Sequence, residues 1–391
     1  MPAAPPPTFG APAEAAAASL PRRSVGGGDR AVGAWLLACA LLVAMMVSVG
    51  GATRLTHSGL SIVDWAPITG ALPPLGADAW QREFRKYRQT PEFRLVNHDI
   101  TVAGFKAIYL VEWGHRLLGR AAAVLFLLPW LIFLATGRIG WRRAAGYLAW
   151  FAVGGLQGGI GWLMVRSGLA ERPRVSPFWL TGHLLTALVL FSALLWNGLG
   201  KLRAPPEAAP PDVRRLRGFA NAALALTAVA ITWGGLMAGL RAGVLFATFP
   251  TLNGAWIPAG MLTLGSPVRD ITENPLTVHF LHRALAYLAS LAAVVLAVAC
   301  HRAGRRVRRG RARESFDDSR VNDARLRRGA RWVLAVVALQ VTLGALTVLL
   351  HVPVVIAAAH QANAVALVAT LLWMRHIVRA PVAPVPGAQR P

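Results

Sequence analysis

Charge is scarce in this chain, and acid is scarcer. Of 391 residues only 15% are charged, and Asp and Glu number 17 against 41 Lys and Arg. There are two cysteines, Cys39 and Cys300, both in or at the end of apolar segments. No CxxCH motif occurs, which excludes a covalent c-type heme, and no paired loop cysteines suggest a disulfide. So little charge beside 55% hydrophobic residues excludes an ordinary soluble domain. Runs of about 20 apolar residues recur, each long enough to cross a bilayer core. The net charge of +24 invites a nucleic-acid reading. The basic residues form no patch interleaved with aromatics, so that reading fails and no nucleic-acid partner is expected.

Eight spans are predicted, roughly 31–51, 107–136, 144–165, 177–199, 218–240, 276–300, 331–350 and 354–374. The first is longer than a signal h-region and has no cleavage site in the expected place, so it is read as retained. The N-terminal segment, the links near 137–143, 200–217 and 301–331, and the C-terminal tail carry 26 of the 41 basic residues. That bias puts both termini in the cytoplasm. Residues 1–30, rich in Ala, Pro and Gly, are expected to be disordered. The link 301–331 holds twelve arginines and reads as a solvated tether near anionic lipid.

The chain is duplicated. Leu156-Gln157-x-x-x-Gly161-x-Leu163-x-Val165 matches Leu339-Gln340-x-x-x-Gly344-x-Leu346-x-Val348. His183 is followed by Ala187, Leu190 and Trp196, as His360 is by Ala364, Leu367 and Trp373. The fold class is therefore an all-α membrane protein of eight transmembrane helices, in two tandem, pseudo-symmetric four-helix bundles. The N-terminal bundle is 31–199 and the C-terminal bundle 218–375, joined by a cytoplasmic linker 200–217 and followed by a tail 376–391. An even number of spans per unit makes the repeats parallel.

Histidines follow the same duplication. Glu112-Trp113-Gly114-His115-Arg116 precedes His183 by two apolar segments, and His279-Phe280-Leu281-His282-Arg283 precedes His360 likewise. All four of His115, His183, His282 and His360 lie early in spans that run inward. At ~1.5 Å per residue they sit roughly 9–14 Å below the outer surface. Imidazoles in lipid-spanning helices are costly and rarely idle. Each bundle offers two of them in an apolar helical cleft, with no Cys or second carboxylate to complete a zinc site. Bis-histidine heme ligation is the expectation, with these four residues as the metal ligands.

Glu112 is the only acid inside any span. It shares a helix face with His115, and an ionised carboxylate there is costly. Its two readings are a structural partner for Arg116 or Arg120, and a catalytic group beside the substrate. Position 279 in the second half carries His instead, so the first bundle is expected to do chemistry and the second to store or relay electrons. Arg54, Arg116, Arg241 and Arg283 are candidates for heme propionates. Gln157 and Gln340 are expected to bond between helices. His57 and His98 read as surface histidines, His279 as a structural donor, and His301, His351 and His376 as incidental. In the outer loop 52–106, Trp80-x-x-Glu83-Phe84-x-x-Tyr87 has amphipathic helical spacing. This loop and its shorter counterpart 241–275 are expected to roof the bundles.

Several motifs together resemble the heme A synthase family, in the branch of mitochondria and Gram-negative bacteria. They are the run 50–61, Thr90-Pro91-Glu92-Phe93 with Asn97, Phe105-Lys106-x-Ile108, Glu112-x-x-His115-Arg116-x-x-Gly119-Arg120, His282-Arg283 and Ala359-His360-Gln361. The resemblance covers about 31–375. It implies oxidation of the C8 methyl group of heme O to a formyl group, through successive hydroxylations and loss of water from a geminal diol. The product would be heme A for cytochrome c oxidase. It further implies that His115 and His183 bracket the substrate heme, that His282 and His360 ligate a cofactor heme b, and that Glu112 assists at the reacting centre. Implied partners are heme O delivered by heme O synthase (protoheme farnesyltransferase), an electron-transfer partner, membrane lipid and a second copy in a homo-oligomer. The implied location is the bacterial inner membrane, with the heme sites toward the periplasm. Neither His279 nor the Arg-rich link is carried over from the family. Two other readings stay open on residues alone: a di-heme cytochrome b-type quinol electron-transfer protein, and a heme carrier.

Overall fold

The computed structural model describes residues 27–170, 173–202, 213–310 and 318–379. Most of the expected disordered terminus, parts of the linker 200–217 and of the Arg-rich link, and most of the tail lie outside the described residues. Twelve α-helices are present among those described: α1 (Gly27–Leu55), α2 (Ala77–Tyr87), α3 (Pro91–Leu95), α4 (Val102–Ala135), α5 (Trp141–Leu169), α6 (Pro177–Leu202), α7 (Val213–Gly239), α8 (Ala242–Leu245), α9 (Pro267–Glu273), α10 (Pro275–Gly310), α11 (Asp318–Leu349) and α12 (Val354–Ile377). Eight are long and apolar enough to cross a membrane, and they are the eight expected. No β-strand occurs among the described residues beyond one isolated bridge, Leu252 with Ala255.

Helix packing follows the duplication. The ring α1–α4–α5–α6 and the ring α7–α10–α11–α12 each close on themselves, and α1 and α6 meet α7 and α12 between them. One core gathers Trp35 of α1 against Phe126 and Phe133 of α4 and Tyr147 of α5. The Trp35 indole donates to the Leu125 carbonyl at 3.0 Å, so its one polar atom is satisfied in an apolar setting. The other core is lined by small residues, Ala220 and Ala223 on α7 and Ala293 and Ala297 on α10. Small side chains let helix backbones approach closely, which drives packing where lipid removes the hydrophobic drive. Helix α12 serves both cores, giving Val365 and Val368 to the first and Leu371 and Met374 to the second. Leu128, Leu131, Ile132, Leu288 and Leu291 stay exposed, as lipid-facing residues should.

Two helices run well into the predicted Arg-rich link. The expected tether 301–331 is in part helix, because α10 continues to Gly310 and α11 starts at Asp318. Long Arg side chains are good helix formers, so charge ends the apolar span without ending the helix.

The outer loops are ordered from their own sequences. Thr90 caps α3 by accepting from the Phe93 amide, with Pro91 at the first turn. Thr101 caps α4 by accepting from the Gly104 amide. In α2, Trp80, Phe84 and Tyr87 form the predicted face and pack on Phe105 and Tyr109 at the start of α4. This aromatic cluster anchors the first loop at the end of the bundle nearest His115.

Candidate heme sites

Each of the four expected ligands occupies an equivalent place. His115 on α4 faces Gly50 of α1, and His183 on α6 faces Gly161 of α5. His282 on α10 faces Gly234 of α7, and His360 on α12 faces Gly344 of α11. A Cβ built on those glycines would lie 3.1, 2.8, 2.9 and 2.9 Å from the imidazole Cε1, in the same order. At Gly161, Gly234 and Gly344 these contacts are short enough that a larger residue would force something to move, and at Gly50 the ring would have to give by a few tenths of an ångström. Four imidazoles are thus each packed closely on a glycine. His115 and His183 are within electrostatic reach of each other, as are His282 and His360.

The glycines were absent from the sequence-based site. Gly161 and Gly344 stood out only as repeat markers. Their signal was available, since Gly50-Gly51 recurs as Gly234-Gly235 near the end of the matching helix. The second glycine of each pair faces the opposite bundle. Gly51 adjoins the Gln361 amide, which donates to the Val47 carbonyl at 2.7 Å, and Gly235 adjoins the Thr181 hydroxyl.

Two imidazoles per ring of helices fit a porphyrin iron better than a protein-only metal site. Among the described residues no cluster of three or more His, Cys, Asp or Glu could hold a metal ion. Nδ1 of His115 and Nδ1 of His183 are buried without a hydrogen bond, the latter near the Gln157 main chain. Buried polar atoms are rarely left unpaired, and these two stand out for it.

Glu112 is 3% exposed and fully engaged. Its Oε2 accepts from the Ser61 amide at 2.8 Å, the Ser61 hydroxyl at 2.7 Å and the Ile62 amide at 2.9 Å. Its Oε1 accepts from Arg116 Nε at 3.1 Å and Nη2 at 2.7 Å. Five donors explain how a carboxylate survives this depth. They also tie the start of the first outer loop to α4. In the second bundle His279 stands in the same relation to its arginine, accepting from Arg283 Nε at 3.0 Å. It is fully buried, with this guanidinium on Nε2 and the Ala242 main chain close by.

The guanidiniums divide into two sorts. Arg116 also donates to the carbonyls of Ile62 and Asp64, and Arg120 to those of Ala66 and Pro67. Arg283 donates to the carbonyls of Thr248 and Thr251. These three bind the roofing loops down onto the bundles, as the sequence led one to expect of the loops. Arg54 and Arg241 instead cross between bundles. Arg54 donates to the Ala238 carbonyl, and Arg241 Nη2 lies 3.1 Å from His57 Nδ1. His57 is exposed, as expected, and in addition meets Arg241. Burial first, then the charges of Arg241 and Arg54, hold its pKa below the ordinary histidine value. Glu92 is buried close by; burial raises its pKa while Arg241 opposes the rise.

The remaining histidines are distributed as follows. His98, His301 and His351 are exposed, matching their reading. His376 differs: it is buried against the Trp196 ring, 5.3 Å between centroids, and meets Arg379 at 2.6 Å. A histidine at a helix end reads as incidental only until a neighbouring helix covers it. Gln157 and Gln340 do bond between helices, to His183 and toward His360.

Known proteins resemble the chain over most of its length. Residues 33–372 match the family model described as cytochrome oxidase assembly protein. The chain is 41% identical to the heme A synthase of Rhodospirillum centenum over 367 residues, 94% of this chain and 93% of that one. It is 43% identical to the heme A synthase of Rhodopseudomonas palustris strain BisB5 over 386 residues, 96% and 99% of the two chains. With the heme A synthase of Bradyrhizobium diazoefficiens it shares 43% over 348 residues, 88% and 91% of the two.

Proposed function

The chain belongs to the heme A synthase family, oxidoreductases acting on heme O, and we propose how its two bundles divide that work. The first bundle binds heme O between His115 and His183 and presents its C8 methyl group for oxidation to a formyl group. The second holds a resident heme b between His282 and His360. The observation that carries this reading is the fourfold seat, one imidazole opposite one glycine on each of eight different helices.

The porphyrins supply the redox chemistry when bound, and the chain supplies binding, orientation and exclusion of water. His115 and His183 fix the substrate between α4 and α6. Glu112, one turn outward of His115 on α4, is the nearest acid. At rest it is a positioning group, because all of its acceptor capacity goes to Ser61, Ile62 and Arg116. A role as acid or base at the substrate requires the Ser61 donors to let go on binding. Arg54 and Arg241 are assigned to the propionates ahead of Arg116 and Arg283, whose donors are spent on Glu112, His279 and loop carbonyls. The arginine bias places both termini in the cytoplasm of a bacterial inner-membrane protein, with the histidine end toward the periplasm. Heme O synthase would deliver the substrate, and a redox partner would exchange electrons.

The test is expression in a host that makes heme O but not heme A, followed by pigment extraction. Appearance of heme A is the expected result. Unchanged heme O with two fixed hemes b per chain would overturn the proposal in favour of electron transfer, and unmodified labile heme in favour of a carrier.

A further inference from the structure

The bundles repeat their histidines and glycines, but not what braces them. The repeat aligns Met46 with Ala230, Gln157 with Gln340, and Thr186 with Asn363. In the second bundle, Asn363 Nδ2 donates to the Val336 carbonyl at 3.0 Å and to Gln340 Oε1 at 2.7 Å. A carbonyl can only accept, so that atom of Asn363 is its nitrogen, and the Gln340 atom it meets is oxygen. Gln340 Nε2 is thereby turned onto His360. It lies 3.3 Å from Nδ1 and 3.4 Å from Nε2, nearly equidistant, so it braces the ring rather than aligning with one nitrogen. On the other side, His282 Nδ1 donates to the Ala230 carbonyl at 2.9 Å, which leaves Nε2 as the free lone pair.

Only one contact is common to both bundles, that of the glutamine main chain with the second histidine, Gln157 with His183 and Gln340 with His360. Thr186 turns its hydroxyl to the Gly182 carbonyl of its own helix at 2.8 Å. With no amide to hold its oxygen, Gln157 leaves Oε1 buried and unpaired, and its Nε2 donates to the His183 main-chain carbonyl at 2.8 Å. Nδ1 of His115 has no hydrogen bond, whereas its counterpart in His282 donates to Ala230.

We infer that Asn363, acting through Gln340 on His360, is the residue that makes the second pocket retain its porphyrin, while Thr186 at the matching place leaves the first pocket free to exchange. The inference rests on the proposal that the resident heme occupies the second bundle and the substrate the first. Partners that hold a ligating imidazole in one orientation change metal affinity by roughly 10–100-fold. A ring fixed beforehand also loses less freedom on binding. A site that must release its product gains from lacking both.

The experiment exchanges the two residues in the full-length chain. Purified protein loaded with protoheme is mixed with excess apomyoglobin, and heme transfer is followed in the Soret band. Wild type should give a fast and a slow phase. Asn363→Thr should accelerate the slow phase roughly tenfold or more and shift the low-spin electron paramagnetic resonance lines of the retained heme. Thr186→Asn should slow the fast phase. Unchanged rates in both variants would overturn the inference. Should Asn363→Thr fail to fold, Thr186→Asn decides alone: slower release supports the inference and an unchanged rate overturns it. A single phase already in wild type would instead overturn the underlying assignment of unlike pockets.

Discussion

The two bundles share a histidine–glycine geometry and differ in the residue one turn before the first histidine. In each, a residue three positions before the first histidine accepts from the arginine one position after it: Glu112 with Arg116, and His279 with Arg283. The carboxylate also accepts from two amides and a hydroxyl of the first loop, whereas the imidazole takes one guanidinium. A charged acceptor holds several strong donors, and a neutral one cannot. The first roof is therefore pinned to the site through Glu112, while the second is pinned mainly by Arg283. Duplication preserved the seat, and divergence changed what stands over it.

The largest effects should come from filling the seats. Gly161→Val and Gly344→Val each add bulk within van der Waals distance of an imidazole. Overpacking costs about 1–3 kcal/mol, which is roughly 5–150-fold in occupancy. Gly161→Val should abolish heme A formation while the purified protein keeps its resident heme. Gly344→Val should lose the resident heme. Identical heme content in the two variants would break the comparison.

Next is Glu112. Glu112→Ala leaves the Ser61 and Ile62 amides without an acceptor and should reduce heme A formation to very little, while Glu112→Asp retains part. Limited proteolysis gives an independent reading, since cleavage within 56–67 should become faster in the Ala variant. Full activity in Glu112→Ala would remove this residue from the site. Ser61→Ala takes away one of the five donors and should cost less, about 1–3 kcal/mol of loop anchoring, read as a modest rise in the same cleavage rate.

The smallest expected effect is a pH dependence of the contact between bundles. The pKa of His57 is depressed in the folded chain, so the unfolded chain binds its proton more readily. The stability it contributes is complete above the ordinary histidine value of 6.5 and is lost as pH falls through the lower folded value. Thermal unfolding of His57→Leu should show a shallower decline on the acid side than wild type. Parallel curves would exclude the His57–Arg241 contact as its source.

Much of this architecture was readable from the chain. Apolar runs set the eight helices, the repeat set the two bundles, and the offset from His115 to His282 pointed to equivalent places on α4 and α10. Aromatic spacing in 80–87 sufficed for α2, because an amphipathic face carries its own signal. What escaped was reciprocal contact. Gly50 and Gly234 carry no chemistry and become part of the site only when a histidine of another helix is packed on them. Glu112 showed its depth in the sequence but not its donors, since Ser61 and Ile62 lie 51 and 50 positions earlier in the chain. His376 became a buried ring only through Trp196 of α6, and the partner of His57 lies 184 residues away in the other bundle.

Heme retained by two purified single variants tests the division of labour most directly. His115→Ala and His282→Ala would each be expressed beside heme O synthase, purified, and their pigments extracted. The account predicts that His115→Ala retains heme b and yields no heme A, and that His282→Ala loses the heme b. The reverse pattern, with the resident heme lost from His115→Ala and kept in His282→Ala, would contradict it.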